Sequence, residues 1–230
     1  MMGSKVKEMP VVSKMFCSSS QVVLGVRNRP HVVGGGGFVV SDMHSHQVMF
    51  RVDGCGVLGK KDQMTLKDAY QTPLLLIRRK GGIVEALSLQ KQWGGYTSDF
   101  AAGGGSSHDH HQNIYNKLVF TLKDPQSSAP SSCISKRRPI VVVAAVSSSQ
   151  KDNNNNDENI IYFQIKGYFP DRDCSIVDSG GNIIAQVGVD KEMMEKKDVY
   201  HVVVKSGIDQ AFVVGVIAIL DYIHNGSTRC

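Results

Sequence analysis

Between Asp209 and Asp221 the chain carries no charged side chain; it reads Gln210-Ala211-Phe212-Val213-Val214-Gly215-Val216-Ile217-Ala218-Ile219-Leu220. Wound as a helix, this stretch puts Phe212, Val213, Val216, Ile219 and Ile223 on one side, with Val214, Ile217, Ala218 and Leu220 around the rest. A helix that is apolar all round is buried on every side or spans a membrane. The run is too short to cross a bilayer, and runs of this size are usually core helices. Its Val and Ile content favours a strand, but strands seldom exceed about eight residues and this segment is roughly twice that. Asp209 stands where an N-cap is needed and Asn225-Gly226 where a helix stops. The sequence therefore predicts a buried C-terminal helix.

Such a helix needs an apolar wall, and the rest of the chain supplies strands. Val22, Leu24 and Val26 alternate with Val23, Gly25 and Arg27. Phe38–Asp42 and Gln47–Asp53, joined by Met43-His44-Ser45-His46, read as a hairpin. Further strands are expected at Gln63–Lys67, Leu74–Lys80, Leu87–Trp93, Asn116–Lys123 and Pro139–Val146. The last third adds Ile160–Gly167, Cys174–Asp178, Ile183–Val189 and Val199–Lys205, with Ser179-Gly180-Gly181-Asn182 as a hairpin link. About a dozen strands and one long helix far exceed the usual strand share. The economical architecture is mainly β: a closed antiparallel barrel of about twelve strands around the helix, which leaves no exposed sheet edge. A two-sheet sandwich with the helix on one end is the weaker alternative.

Composition narrows the class. The 230 residues, 41% hydrophobic and 20% charged, suit a globular chain, and one barrel domain can use that length. The domain is expected over 20–226, between a flexible tail at 1–19 and a short tail at 227–230. Polar insertions near 100–115, 124–138 and 147–159 are expected as disordered surface loops. Net charge of +5 admits anionic partners but falls short of a dedicated nucleic-acid binder, and nucleic acid is not indicated. Five cysteines without a CxxC pair suggest neither zinc nor a disulfide framework. Residues 1–16 hold no apolar signal core, so the expected compartment is cytoplasmic, at the plasma-membrane periphery or nuclear, and not secreted.

Several of these elements resemble the plant LURP-one-related (LOR) family. Phe38–Asp42 with Val48–Asp53 is similar to the family's opening strand pair. Pro73-Leu74-Leu75-Leu76-Ile77-Arg78-Arg79-Lys80 is similar to its PLLTIRRK element, and Leu87-Ser88-Leu89 with Trp93 to the family's next strand. Phe163–Gly167, Ala185-Gln186-Val187 and Gly207–Phe212 running into Ile219-Leu220-Asp221 resemble its C-terminal half. The likeness covers about two-thirds of the chain, in order. It implies a relation to tubby C-terminal domains and phospholipid scramblases: a twelve-stranded barrel around a central hydrophobic helix. It also implies membrane-associated regulatory roles with a link to plant defence, and it brings no catalytic residues. The three polar insertions depart from the family pattern.

Candidate chemistry is sparse. His108-Asp109-His110-His111, with His44 and His46, offers imidazoles but no ordered metal frame, and a solvated tract is the plainer reading. The run Asp152–Glu158 has Asp157 and Phe163 where a calcium loop needs Gly and Glu. No phosphate-binding glycine loop, GxSxG elbow or HExxH is present, so neither enzyme activity nor a cofactor is expected. Two basic clusters remain, Arg78-Arg79-Lys80 and Lys136-Arg137-Arg138. On a strand, Arg78 and Lys80 share one face and Arg79 takes the other. Facing out at a barrel rim they would meet an anionic phospholipid or phosphoinositide headgroup; otherwise they are a solvated strand end. Cys17, in Met15-Phe16-Cys17-Ser18, is an acylation candidate against the plainer reading of a thiol in a mobile tail.

The expected function is that of a non-enzymatic, monomeric regulatory module docking on anionic membranes. The alternatives are a protein-interaction scaffold acting through its loops, with partners the sequence does not name, and a scramblase-like lipid transfer. The last ranks lowest, because a helix enclosed by strands is poorly placed to enter a bilayer.

Overall fold

Alternation along each strand builds a wall with an apolar inner surface. Leu24 and Val26 on one strand, Phe50 and Val52 on another, and Leu75 and Ile77 on a third point inward and are fully buried, while the residues between them face out. The computed structural model describes residues 7–29, 36–54, 62–80, 91–98, 115–124, 140–146, 159–189, 199–224 and 228. The strands are β1 (Val22–Arg29), β2 (Gly37–Asp42), β3 (Val48–Asp53), β4 (Gln63–Asp68), β5 (Pro73–Arg79) and β6 (Lys91–Ser98). They continue as β7 (Tyr115–Asp124), β8 (Ile140–Val146), β9 (Asn159–Tyr168), β10 (Asp173–Asp178), β11 (Ile183–Gly188) and β12 (Val199–Val204). Each pairs antiparallel with the next, and β12 closes on β1 with Leu24 opposite Val202, giving the closed barrel that the pattern predicts.

Turn chemistry sets the hairpins. Between β10 and β11, Gly181 takes φ +81, and the Asp178 carboxylate accepts the Asn182 backbone N–H at 2.8 Å. The strand expected at Leu87–Trp93 is described only from Lys91 onward. It continues beyond Trp93 to Ser98, because Gly94 and Gly95 leave room for the rings of Tyr96 and Phe120 on opposite faces of the sheet. The expected polar loops fall almost wholly outside the described residues. The strands claim three of their end positions, with Tyr115 and Asp124 in β7 and Asn159 in β9.

The helix α1 (Gln210–Ile223) runs through the barrel, with Gln210 to Asp221 all buried. Phe212 meets the rings of Phe120 at 5.4 Å and Phe163 at 5.1 Å. Three turns on, Tyr222 packs on Trp93 at 4.7 Å. Each large apolar side chain so enclosed contributes about 1.5–3 kcal/mol relative to exposure. Asp209 caps the helix by accepting the Phe212 N–H at 3.2 Å, and the helix ends with His224 as its C-cap. The expected stop at Asn225-Gly226 lies outside the described residues.

Both ends of the barrel depart from the expected tails. At the helix N-terminus, residues 9–17 form a strap rather than part of a flexible 1–19 tail. Met9 pairs with Ile208 and Cys17 with Asp209, Lys14–Phe16 makes a 3-10 turn, and Phe16 sits edge-on to Phe50 at 5.4 Å. The backbone N–H groups of Val11, Val12 and Ser13 all donate to one Asp209 oxygen, at 3.1, 2.7 and 2.9 Å. The partner that orders this segment is a carboxylate almost the whole chain away, which local polarity does not reveal.

At the other end, Thr228, within the expected short tail at 227–230, is buried. Its backbone N–H and hydroxyl donate to the Asp221 carboxylate at 2.9 and 3.0 Å. Arg172, in the left-handed region at φ 56, lies between the rings of Phe169 and Tyr200, at 4.4 and 4.1 Å, and 3.7 Å from Asp221. This arrangement compensates a buried carboxylate at the foot of the helix.

Candidate membrane-docking face

β5 leaves the core as its sequence turns basic. Leu75 and Ile77 point inward, so Arg78 and then Lys80 fall on the outer face and Arg79 on the inner side at the rim. Arg78 is exposed, with its guanidinium 4.5 Å above the Tyr96 ring. The ring lies across the bare face of Gly94, the residue opposite Arg78 in register. Lys80 extends the pairing by one residue, its N–H donating to the Gln92 carbonyl at 2.8 Å.

Gln92 in turn pairs with Lys123 of β7. Lys80 and Lys123 therefore flank Gln92 on one row, about 10 Å apart at two strand spacings. The cationic face is thus Arg78, Lys80 and Lys123, with Tyr96 between β5 and β7. None of the three cations forms an ion pair with a described residue. In the sequence the alternation of Phe120 and Leu122 points Lys123 outward, while Leu118 lies exposed beyond a register shift; only the register across β6 shows that Lys123 sits beside Lys80.

The other expected site residues fare differently. Arg79 turns away from this face and approaches the Asp62 carboxylate at 3.6 Å, and Asp62 also takes the Tyr222 hydroxyl proton in a hydrogen bond. Lys136, Arg137 and Arg138 lie outside the described residues, as does the His108–His111 tract. Among the described residues, no three His, Cys, Asp or Glu side chains converge as a metal site. Cys17 is half-buried in the strap. Burial, with the Asp209 carboxylate beside it, pushes its thiol up to about 11, which keeps the reactive thiolate scarce at neutral pH. Among the described residues no helix is long and apolar enough to cross a membrane.

The family model described as LURP-one-related matches residues 22–221, from the start of β1 to the buried Asp221. Protein LURP-one-related 6 of Arabidopsis thaliana is 48% identical over 220 residues, covering 96% of this chain and 98% of the relative. Protein LURP-one-related 16 of the same plant is 45% identical over 226 residues, covering 96% and 95%. An Arabidopsis thaliana protein of known X-ray structure superposes with a TM-score of 0.54 at 21% identity, over 94% of this chain and 98% of that one; the likeness is one of fold. The strand pairs, the basic β5 element and the buried helix of the family resemblance stand in the structure as expected, while Leu87-Ser88-Leu89 lies outside the described residues. The chain belongs to the LURP-one-related family.

Proposed function

We propose that this protein is a non-catalytic regulatory module that docks on anionic membrane surfaces, phosphoinositide-bearing ones in particular. The docking face is the outer surface of β5–β7. The supporting observation is the placement of Arg78, Lys80 and Lys123 on that face with no described carboxylate paired to any of them. Each basic side chain near an anionic surface contributes about 1 kcal/mol. Three give roughly a hundredfold enrichment, enough for reversible docking and too little for permanent anchoring. The buried helix favours docking over lipid transfer: Gln210 to Asp221 are enclosed by the barrel and capped at both ends, so this apolar segment does not stand ready to enter a bilayer. A place in regulation, defence signalling included, is supported by the family likeness rather than by the site.

The test is co-sedimentation of the purified protein with liposomes, with and without phosphatidylinositol bisphosphate, across a salt series. Docking requires the anionic lipid and weakens as salt shortens the screening length, which is about 8 Å near 0.15 M. No sedimentation at low salt would refute the proposal for the unmodified protein and direct attention to protein partners.

A further inference from the structure

We propose that a second face of the barrel, the outer surface of β1–β4, is an anion site for a compact phosphate ester carrying at least two phosphate groups. The register brings together cations that are scattered in sequence. Arg27 lies opposite Val39, Val39 opposite Arg51, and Arg51 opposite Lys67, so one row across four strands holds three cations and Val39. Like charges directly opposite each other on a sheet, as Arg51 and Lys67 are, weaken the pairing rather than support it. Asp53 offsets the Lys67 charge, but Arg27 and Arg51 keep no described ion pair, and such a local conflict is expected at a functional site.

One row further along, Arg29 and Asp53 complete the face. Gly37, at φ +132, leaves room for the Arg29 guanidinium to cross β2; a Cβ there would meet the Val52 carbonyl and sit 3.0 Å from the Arg29 Nη2. Arg29 then donates to the Val52 carbonyl at 2.9 Å and to the Asp53 carboxylate, which Lys67 also reaches at 2.8 Å. Partial burial opposes ionisation of Asp53, but the hydrogen bonds and charges of Lys67 and Arg29 outweigh it and hold the carboxyl below its ordinary value. Asp53 is therefore already engaged on both sides. Arg27 and Arg51 form no ion pair with any described residue, and the Nε atoms of Arg29 and Arg51 are shielded from solvent without a hydrogen-bond partner.

The geometry fits two phosphates better than one. Adjacent strands stand about 4.8 Å apart, so Arg51 and Lys67 bracket one phosphate and Arg27 lies roughly 10 Å from Arg51, within reach of a second on the same small scaffold. Planar guanidinium forks bind such oxygens in pairs, which a lone ammonium does not. The phosphate ester could be free in solution or the headgroup of a lipid, and the chemistry recognised is the same.

Titration calorimetry of the full chain with inositol 1,4,5-trisphosphate and with inorganic sulfate separates this site from the β5–β7 face. The expected result is saturable trisphosphate binding that Arg27→Ala with Arg51→Ala weakens at least tenfold, while Arg78→Ala with Lys80→Ala changes it less than twofold. Because Arg27 and Arg51 support no described ion pair, the double variant is expected to keep the wild-type melting midpoint, which is measured in parallel. Vesicles bearing the bisphosphate headgroup form the second arm: parallel losses on vesicles and free trisphosphate assign a headgroup source, and loss on the free compound alone assigns a soluble ligand. Absence of trisphosphate binding, equal affinity for sulfate, or a loss that tracks Arg78 and Lys80 instead would overturn the assignment. Failure of vesicle docking by the β5–β7 face leaves this test unaffected.

Discussion

Val12 donates its backbone N–H to the Asp209 carboxylate at 2.7 Å across 197 positions of sequence, tying the N-terminal strap to the head of the buried helix. The same carboxylate accepts N–H groups from Val11, Ser13 and Phe212. One side chain thus serves as helix cap and as the anchor of the strap. Asp209→Ala should cost more than the roughly 1 kcal/mol of an ordinary cap, about 2–4 kcal/mol, because three further backbone donors, one buried and two partly buried, lose their acceptor. Urea unfolding reads this directly. A chain lacking residues 1–17 should lose a similar amount, and its Asp209→Ala variant should show a much smaller further loss.

Arg172→Ala should be more damaging still. It removes the cation from the fully buried Asp221, an outcome that costs about 3–5 kcal/mol when a buried partner is left behind. Arg172→Lys should recover less than half of this, since a lysine lacks the flat guanidinium that fills the space between Phe169 and Tyr200. Thermal melts of the two variants against wild type check both statements.

Gly215 marks where the helix passes closest to the wall. A Cβ at this position would lie 3.2 Å from Leu75 Cδ1 and 3.3 Å from Phe120 Cζ. Gly215→Ala therefore gains up to about 1 kcal/mol of helix propensity against a tight contact, and should change stability little. Gly215→Leu has no such space and should destabilise by about 1–3 kcal/mol through overpacking. Denaturant midpoints that fall equally for both variants would contradict this packing.

Stability should fall on acidification, with Asp53 contributing to the fall. The carboxyl groups of Asp42, Asp53 and Asp178 are held below their ordinary 3.8 in the fold. Each such group stabilises the fold above that value and loses its contribution as pH drops through the lower, folded value. Asp209 runs the other way. Burial raises its carboxyl against the opposing N–H donors, so its ionisation disfavours the fold as pH climbs from 3.8 through the raised value. Asp53→Asn should flatten the acid limb of a melting-temperature profile below about pH 5 and cost about 1 kcal/mol or less near neutral pH, the usual size for partly exposed pairs.

Much of this fold is legible in the sequence because burial writes itself as period. The apolar run from Gln210 to Leu220 has nowhere to go but inside, and alternations such as Leu24-Val26 and Phe50-Val52 give the wall. What stays hidden depends on pairing across long separations. Val11, Val12 and Phe16 belong to a short apolar stretch without helix or strand period, and nothing local says that Asp209 and Phe50 await them. Arg78 and Lys80 are readable as an outward pair from the strand's own parity, but Arg79 finds Asp62 and Lys80 finds Lys123 only through the closed register. The row Arg27, Arg51 and Lys67 is invisible for the same reason, since no two of its members are near in sequence.

The most direct test of the docking face compares liposome binding of wild type, Arg78→Glu with Lys80→Glu, and Lys123→Glu at several salt concentrations. Lys123 is the discriminating position, because it joins the face only through the β5–β6–β7 register. Reversal at Lys123 should weaken binding to phosphatidylinositol bisphosphate vesicles by about tenfold or more and make the salt dependence shallower, as removing charge from a screened contact requires. The paired reversal at Arg78 and Lys80 should weaken binding further than Lys123→Glu does. Wild-type affinity in the Lys123→Glu protein would contradict a docking face assembled across these three strands.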